Sequence, residues 1–169
     1  MRFTDDGKRL VVLTADGRLR TFGFSVERAG ALQIPAASVL LSAEFGADSK
    51  HFVIVANDYA QIWDTTGIAV SPKLTHYVPI TSFAINEQRT AFCTGAVDGS
   101  AQIWRMPDGS PQAGPIQMGR RVTRITFSPS GHYLAIGSED GWVRVFDART
   151  GNMTHEKQVD RFEILARHE

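Results

Sequence analysis

Three side chains of the kinds that carry out nucleophilic catalysis lie within one stretch of the chain: an imidazole at His76, a hydroxyl at Thr94 and a carboxylate at Asp98. An acyl-transfer site needs the hydroxyl activated by the imidazole and the imidazole oriented by the acid. Thr94 sits in none of the Gly-x-Ser-x-Gly surroundings that expose such a nucleophile on a sharp turn, so no catalytic residue is assigned. The other histidines, His51, His132, His155 and His168, form no i, i+4 pair, and no C-x-x-C motif occurs, so no metal site is expected. Cys93, in Ala-Phe-Cys-Thr, reads as a small core hydrophobe rather than a reactive thiolate. The glycines fall at turns and not in a phosphate-cradling loop, and no cofactor is expected.

Recognition chemistry is better represented. Gly119-Arg120-Arg121-Val122-Thr123-Arg124 brings three guanidinium groups together, a composition suited to carboxylates or phosphates because Arg makes bidentate contacts with both. Tyr77 and Trp142 are aromatic residues of the type that anchor interfaces. The competing assignment makes Arg120 and Arg121 solvated loop residues, pairs Arg124 with an acid, and packs Trp142 inside the fold.

Composition narrows the partner class. The chain of 169 residues has 18 Lys plus Arg against 18 Asp plus Glu, so it lacks the basic excess that nucleic-acid binding requires. A single cysteine excludes an internal disulfide and favours a reducing compartment. No run of 18 apolar residues occurs, and MRFTDDGKRL has neither a signal-peptide layout nor a lipidation motif. The expectation is a soluble, cytoplasmic protein that binds neither nucleic acid nor membrane.

The elements that position these residues are repeats. FTDDGKRLVVLTADGRLRTFG (3–23) and FSPSGHYLAIGSEDGWVRVFD (127–147) superimpose without a gap, and 45–64 and 83–105 match them with small length differences. The aromatic that ends each motif, Phe22, Trp63, Trp104 and Phe146, recurs at steps of 41, 41 and 42. The dipeptides Asp16-Gly17, Asn57-Asp58, Asp98-Gly99 and Asp140-Gly141 keep the same steps and suit two-residue hairpin turns with positive φ at both central positions. Alternating Val, Ile, Phe and Trp on either side predict strands, with an earlier strand before each hairpin and a weaker one after it. Further turns are expected at Thr66-Gly67, Asp108-Gly109 and Thr150-Gly151.

About four strands in 41 residues, ending in Trp63-Asp64, Phe146-Asp147, Trp104-Arg105 and the degenerate Phe22-Gly23, resemble the WD40 repeat family. The resemblance spans residues 3 to 164 and implies an all-β propeller of about four four-stranded blades, with repeats at about 1–36, 37–76, 77–119 and 120–158 and a tail at 159–169. It also assigns His76, Thr94, Asp98 and Trp104 to a buried structural network rather than to chemistry. The fourth repeat departs from it, with Arg120, Ile136, Asp140 and Phe146 at those places.

Val159–Ile164 reads against Val122–Phe127 as a spare first strand. It closes the ring within the chain, begins a further repeat of a longer propeller, or completes the first blade of a second copy in a homodimer. The function implied is a non-enzymatic protein-interaction scaffold whose partner is a protein or peptide of acidic or phosphorylated character. The alternative is a regulatory or sensor segment of a larger multidomain protein, since similar WD40 arrays occur in bacterial multidomain proteins, some carrying a protein kinase domain. A propeller hydrolase is disfavoured, because the first strands offer only Glu44, Asp160 and Glu163 as channel carboxylates.

Overall fold

A computed structural model of the protein describes residues 2–3, 7–13, 18–23, 31–33, 39–48, 50–64 and 68–159. The expected turns at Asp16-Gly17 and Thr66-Gly67, and the tail beyond Val159 with Asp160, Glu163 and His168, lie outside the described residues. Among the described residues the regular structure is strand alone, arranged in four antiparallel sheets.

The chain divides into two compact units. The first comprises Met1–Thr75 with Met106–Gly109. Its first sheet is a meander of β1 (Arg2–Phe3), β2 (Arg9–Leu13), β3 (Arg18–Gly23) and β4 (Ala31–Gln33). Its second sheet pairs β5 (Leu40–Phe45), β6 (His51–Ala56) and β7 (Ala60–Asp64). Isolated bridges from Ala60 to Leu74 and from Trp63 to Ala69 place the following segment where a fourth strand would run. Phe45, Phe52 and Ile54 form the core of this sheet with half-buried Leu40 and Trp63 against them. The Phe45 and Phe52 rings meet tilted, with centroids 5.7 Å apart.

The second unit comprises His76–Arg105 and Ser110–Glu169. Its third sheet runs β8 (Ile80–Ile85), β9 (Ala91–Ala96), β10 (Ser100–Arg105) and β11 (Ile116–Gln117). The fourth sheet runs β12 (Val122–Phe127), β13 (Tyr133–Ser138), β14 (Trp142–Asp147) and β15 (Met153–Gln158). The period-two alternation read from the sequence appears directly in β13, where Leu134, Ile136 and Ser138 are buried and the residues between them are not. Cys93, Ala101, Ile103 and Ile116 of the third sheet pack in one cluster with Val122, Ile125, Leu134, Ile136 and Phe146 of the fourth. Burying a Val, Leu or Ile is worth about 1.5–3 kcal/mol each, so this cluster holds the unit together.

Two details set how closely these sheets approach. Gly95 faces β12, and a Cβ placed on it would fall 2.5 Å from Val122 Cγ1 and 2.9 Å from Ile125 Cδ1. In addition, the first strand of each of the last three sheets carries a register break one residue in, at Leu40/Ser42, Ile80/Ser82 and Val122/Arg124. In β8 the break frees Thr81, whose hydroxyl lies 2.6 Å from the Val122 carbonyl and 3.2 Å from that of Gly95, tying the two sheets at the same point. Gln112 repeats the device from the opposite end, donating to the Ala148 carbonyl at 3.0 Å.

The hairpin turns differ from expectation. At Asp98-Gly99 the register closes at Gly95 and Ala101, Gly99 N donates to Ala96 O, and Gly99 alone has positive φ, at 86°. Asp140-Gly141 repeats this, with Gly141 N donating to Ser138 O and φ of 82°. The aspartates keep ordinary φ because their carboxylates accept hydrogen bonds from the chain two residues on, which fixes a longer turn with one left-handed glycine. Asn57-Asp58 makes a tighter turn, the register closing at Val55 and Ala60 with neither residue at positive φ.

Because the approach at Gly95 leaves no room for a methyl group, Gly95→Ala is expected to cost about 1–3 kcal/mol in chemical denaturation. Gly114→Ala, which meets nothing within 4 Å, leaves the midpoint within about 0.5 kcal/mol of the parent.

Candidate functional site

The residues singled out for chemistry converge on the third sheet, but as a closed chain of hydrogen bonds. Trp104 Nε1 donates to Thr94 Oγ1 at 2.9 Å. Thr94 Oγ1 lies 2.9 Å from His76 Nε2, and His76 Nδ1 lies 2.8 Å from Ser100 Oγ. The Ser100 hydroxyl donates to Asp98 Oδ1 at 2.6 Å. With that proton committed, Ser100 accepts from His76 Nδ1–H, which leaves Nε2 to accept the Thr94 proton. The run therefore reads Trp104 to Thr94 to His76 to Ser100 to Asp98, every proton spent and the terminal charge in solvent.

Burial lowers the His76 pKa below its ordinary value, outweighing the nearby Asp98 charge, so the ring is held neutral. The Ser100 hydroxyl and amide hold the Asp98 carboxyl below the usual range. Thr94 is 1% exposed, so its hydroxyl faces no substrate. Cys93 is fully buried, and burial pushes its thiol far up. Among the described residues no cluster of His, Cys, Asp and Glu could hold a metal ion.

Ser100 is the member that the sequence reading missed. Its signal was local, a hydroxyl two residues after the turn aspartate. The other sheets show what its absence does. In the second sheet Ile54 takes the place of Thr94 and Tyr59 that of Ser100, as the pairs Phe52–Trp63 and Phe92–Trp104 establish. There Trp63 Nε1 and Tyr59 Oη are buried without a hydrogen-bond partner among the described residues. The fourth sheet puts Ile136, Trp142 and Phe146 at the places of Thr94, Ser100 and Trp104, and its Asp140 accepts instead from Ser138, which stands where Ala96 does, at 2.6 Å.

The recognition candidates occupy the hairpin-loop end of the second unit. Backbone bonds bind its loops in sequence: Val97 N to Pro79 O, Met118 N to Gly99 O, Glu139 N to Arg121 O and Val159 N to Gly141 O, all between 2.8 and 3.0 Å. A Cβ on Gly99 would lie 2.6 Å from the Arg120 carbonyl oxygen, so the hairpin turn seats the Arg120 backbone directly. Arg120 and Arg121 are exposed, and Tyr77, one residue beyond His76, is fully exposed. Trp142 begins β14 at the same end, but its ring is half-buried with the Arg144 guanidinium 5.3 Å above it. Arg144 is itself held by Glu156 at 3.0 Å and the Met118 carbonyl at 3.1 Å. Arg124 lies on β12 opposite Gly137, exposed and separate from the loops.

Val159 N–H meets Gly141 O as Met118 N–H meets Gly99 O, so Val159 continues the line of β15. The remainder of the expected spare strand lies outside the described residues.

Comparison with known proteins agrees with the repeat reading. The family described as anaphase-promoting complex subunit 4 WD40 domain matches residues 100–166. A guanine nucleotide-binding protein subunit beta of Zea mays is 34% identical over 58% of this chain and 27% of its own length. Protein TEX1 of Saccharomyces cerevisiae is 28% identical over 52% of this chain and 21% of its own. Apoptotic protease-activating factor 1 of Rattus norvegicus is 25% identical over 92% of this chain and 12% of its own. The chain thus spans well under two thirds of the relatives it matches. Among solved structures, the computationally designed Ika8 protein superimposes with a TM-score of 0.75 at 20% identity, over 95% of this chain and 48% of that one.

Trp104→Phe is expected to lower stability by about 1–3 kcal/mol, since it strips the Thr94 hydroxyl of its donor. Trp63→Phe costs about 1 kcal/mol less, because the buried N–H it removes has no partner; circular dichroism in urea compares the two. The His76 pKa, depressed in the folded state, makes stability fall as pH drops from the unfolded value of about 6.5 through the lower folded one. Above about 6.5 both states are neutral and the effect vanishes. His76→Gln, which has no titratable ring, should flatten that slope in denaturation series across pH.

Proposed function

We propose that this chain, whose repeats resemble those of the WD40 family, works as a non-enzymatic protein-interaction module. Its contact surface is the hairpin-loop end of the second unit, and its partner is an acidic or phosphorylated protein segment. The observation that carries this reading is the exposure of Arg120 and Arg121 on a backbone that packs closely on Gly99 and accepts a hydrogen bond from Glu139 N. A backbone already held in place removes its share of the ordering cost when the Arg side chains meet a carboxylate or phosphate. The fully exposed Tyr77 at the same end adds an aromatic contact. The matched family and one matched relative carry names of subunits, of the anaphase-promoting complex and of a guanine nucleotide-binding protein, which supports a role in assemblies. The inert environments of Thr94 and Cys93 support the absence of catalysis.

A second reading rests on the comparison with apoptotic protease-activating factor 1, where this chain matches nearly end to end yet covers 12% of the relative. On that reading the repeats are the regulatory or sensor segment of a larger protein, and catalysis, including any by a kinase domain, lies in a neighbouring domain.

The test is fluorescence polarisation against matched acidic, phosphorylated and neutral peptides. Acidic or phosphorylated peptides should bind with an affinity that weakens as salt is raised. The double change Arg120→Glu with Arg121→Glu should weaken binding at least about tenfold without moving the urea midpoint. Equal binding of neutral peptides, or no loss in the double variant, would contradict the reading.

A further inference from the structure

We infer that the loop end of the second unit recognises two features of one extended peptide: an apolar side chain, taken by Tyr77, Pro79 and Val97, and a carboxylate or phosphate close to it in sequence, taken by Arg120. The inference rests on the loop-end reading above and specifies the partner that reading leaves general.

The same backbone bond recurs at this end of three sheets and allows their loops to be compared residue by residue. The first residue of each hairpin turn donates its N–H to the residue that precedes the first strand: Asn57 to the Val39 carbonyl at 2.9 Å, Val97 to that of Pro79 at 3.0 Å, and Glu139 to that of Arg121 at 2.9 Å. In the second sheet the turn residue is polar, and its side chain accepts from the Val39 N–H at 3.1 Å. In the fourth sheet the pair is a cation with an acid. The third sheet departs from both, with two apolar residues at the same places. Hairpin turns favour Asn, Asp and Gly, yet Val97 stands there 38% exposed. Pro79 is exposed beside it, and Tyr77, two residues earlier, is fully exposed. One exposed apolar side chain needs no explanation, whereas three on one bonded pair of loops make the kind of patch that marks a contact.

These loops are already ordered. His76, next to Tyr77, is held between Thr94 and Ser100, and the turn after Val97 is closed by Gly99 N donating to Ala96 O at 3.2 Å. The cation adjoins that turn. Gly99, two residues beyond Val97, packs on the Arg120 backbone so closely that a Cβ would lie 2.6 Å from its carbonyl oxygen. Arg121 instead accepts from the fourth sheet's turn, beside Glu139, so Arg120 is the guanidinium nearer the apolar patch. Two residues of chain and one packing contact keep the Val97 and Arg120 backbones within about 12 Å of each other. An extended peptide, rising about 3.3 Å per residue, bridges that span in about two to four residues. Charge complementarity therefore selects a peptide with an acidic group about two to four residues from an aliphatic or aromatic one.

The test is fluorescence polarisation of the full chain with Gly/Ser-based labelled peptides that carry Asp-Asp and one Leu placed two, three or four residues to either side, each against its Leu-to-Ala partner. At one spacing the Leu peptide should bind at least about tenfold tighter than the Ala peptide. Val97→Asn, which puts in the residue the second sheet uses there, should erase that difference while leaving the affinity for the Ala peptide unchanged. Arg120→Glu should weaken both peptides by the same factor. Phosphoserine in place of Asp-Asp should show the same dependence on Leu, and the tighter of the two series identifies the acid. Equal affinity of Leu and Ala peptides at every spacing overturns this inference, and if the double change at Arg120 and Arg121 still abolishes binding, the loop-end reading stands without it. A gain from Leu that survives both Val97→Asn and Tyr77→Ser also overturns it, because the apolar contact then lies elsewhere. No binding of any acidic or phosphorylated peptide overturns both.

Discussion

The second unit depends on the close approach of β12 to β9 at Gly95. With no side chain there, Val122 and Ile125 rest against bare backbone, and the approach brings the Val122 carbonyl within reach of the Thr81 hydroxyl. The other ties between the two sheets rely on that spacing. Gln112 reaches Ala148, and Arg144 reaches the Met118 carbonyl. The Arg120 backbone settles on Gly99. Apolar burial supplies most of the energy, and the hydrogen bonds select one offset between sheets that would otherwise slide.

The polar chain from Trp104 to Asp98 plays a different part. It is complete in the third sheet, reduced to two partnerless buried groups in the second, and replaced by hydrocarbon in the fourth. All three sheets nonetheless keep the same strand order and the same register break. The network is therefore not what makes a sheet of this kind. It fixes the loop containing His76 against the turn at Asp98, which in turn fixes the surroundings of Tyr77. A stiff set of loops on a buried frame is the arrangement that lets exposed side chains meet a partner without first being ordered.

Exposed Arg120 and Arg121 and the outer face of the fourth sheet lie in separate parts of the second unit. The loop end carries charge and a fully exposed aromatic residue, while the outer face of the fourth sheet carries small and β-branched residues around Gly137.

The recurrence at 41, 41 and 42 residues, the alternating runs and the turn dipeptides were enough to establish an all-β chain of repeats, because strand pleating writes a period of two and each hairpin needs its turn residues at a set distance from the strands. His76, Thr94, Asp98 and Trp104 were legible as one network through the family pattern. Ser100 was not, because its role depends on standing between an aspartate two residues away and a histidine 24 residues away. The turn geometry was misread for a similar reason: the aspartate carboxylates cap the backbone and leave positive φ to glycine alone. Only the tertiary structure decided that Trp142 lies half-buried beneath Arg144, that Val159 continues β15, and that Val122 and Ile125 fill the space at Gly95. Periodicity is a property of the backbone and survives in any window of sequence, whereas these contacts join residues whose meeting is set by register, by the bulge in each first strand, and by how near one sheet can come to the next.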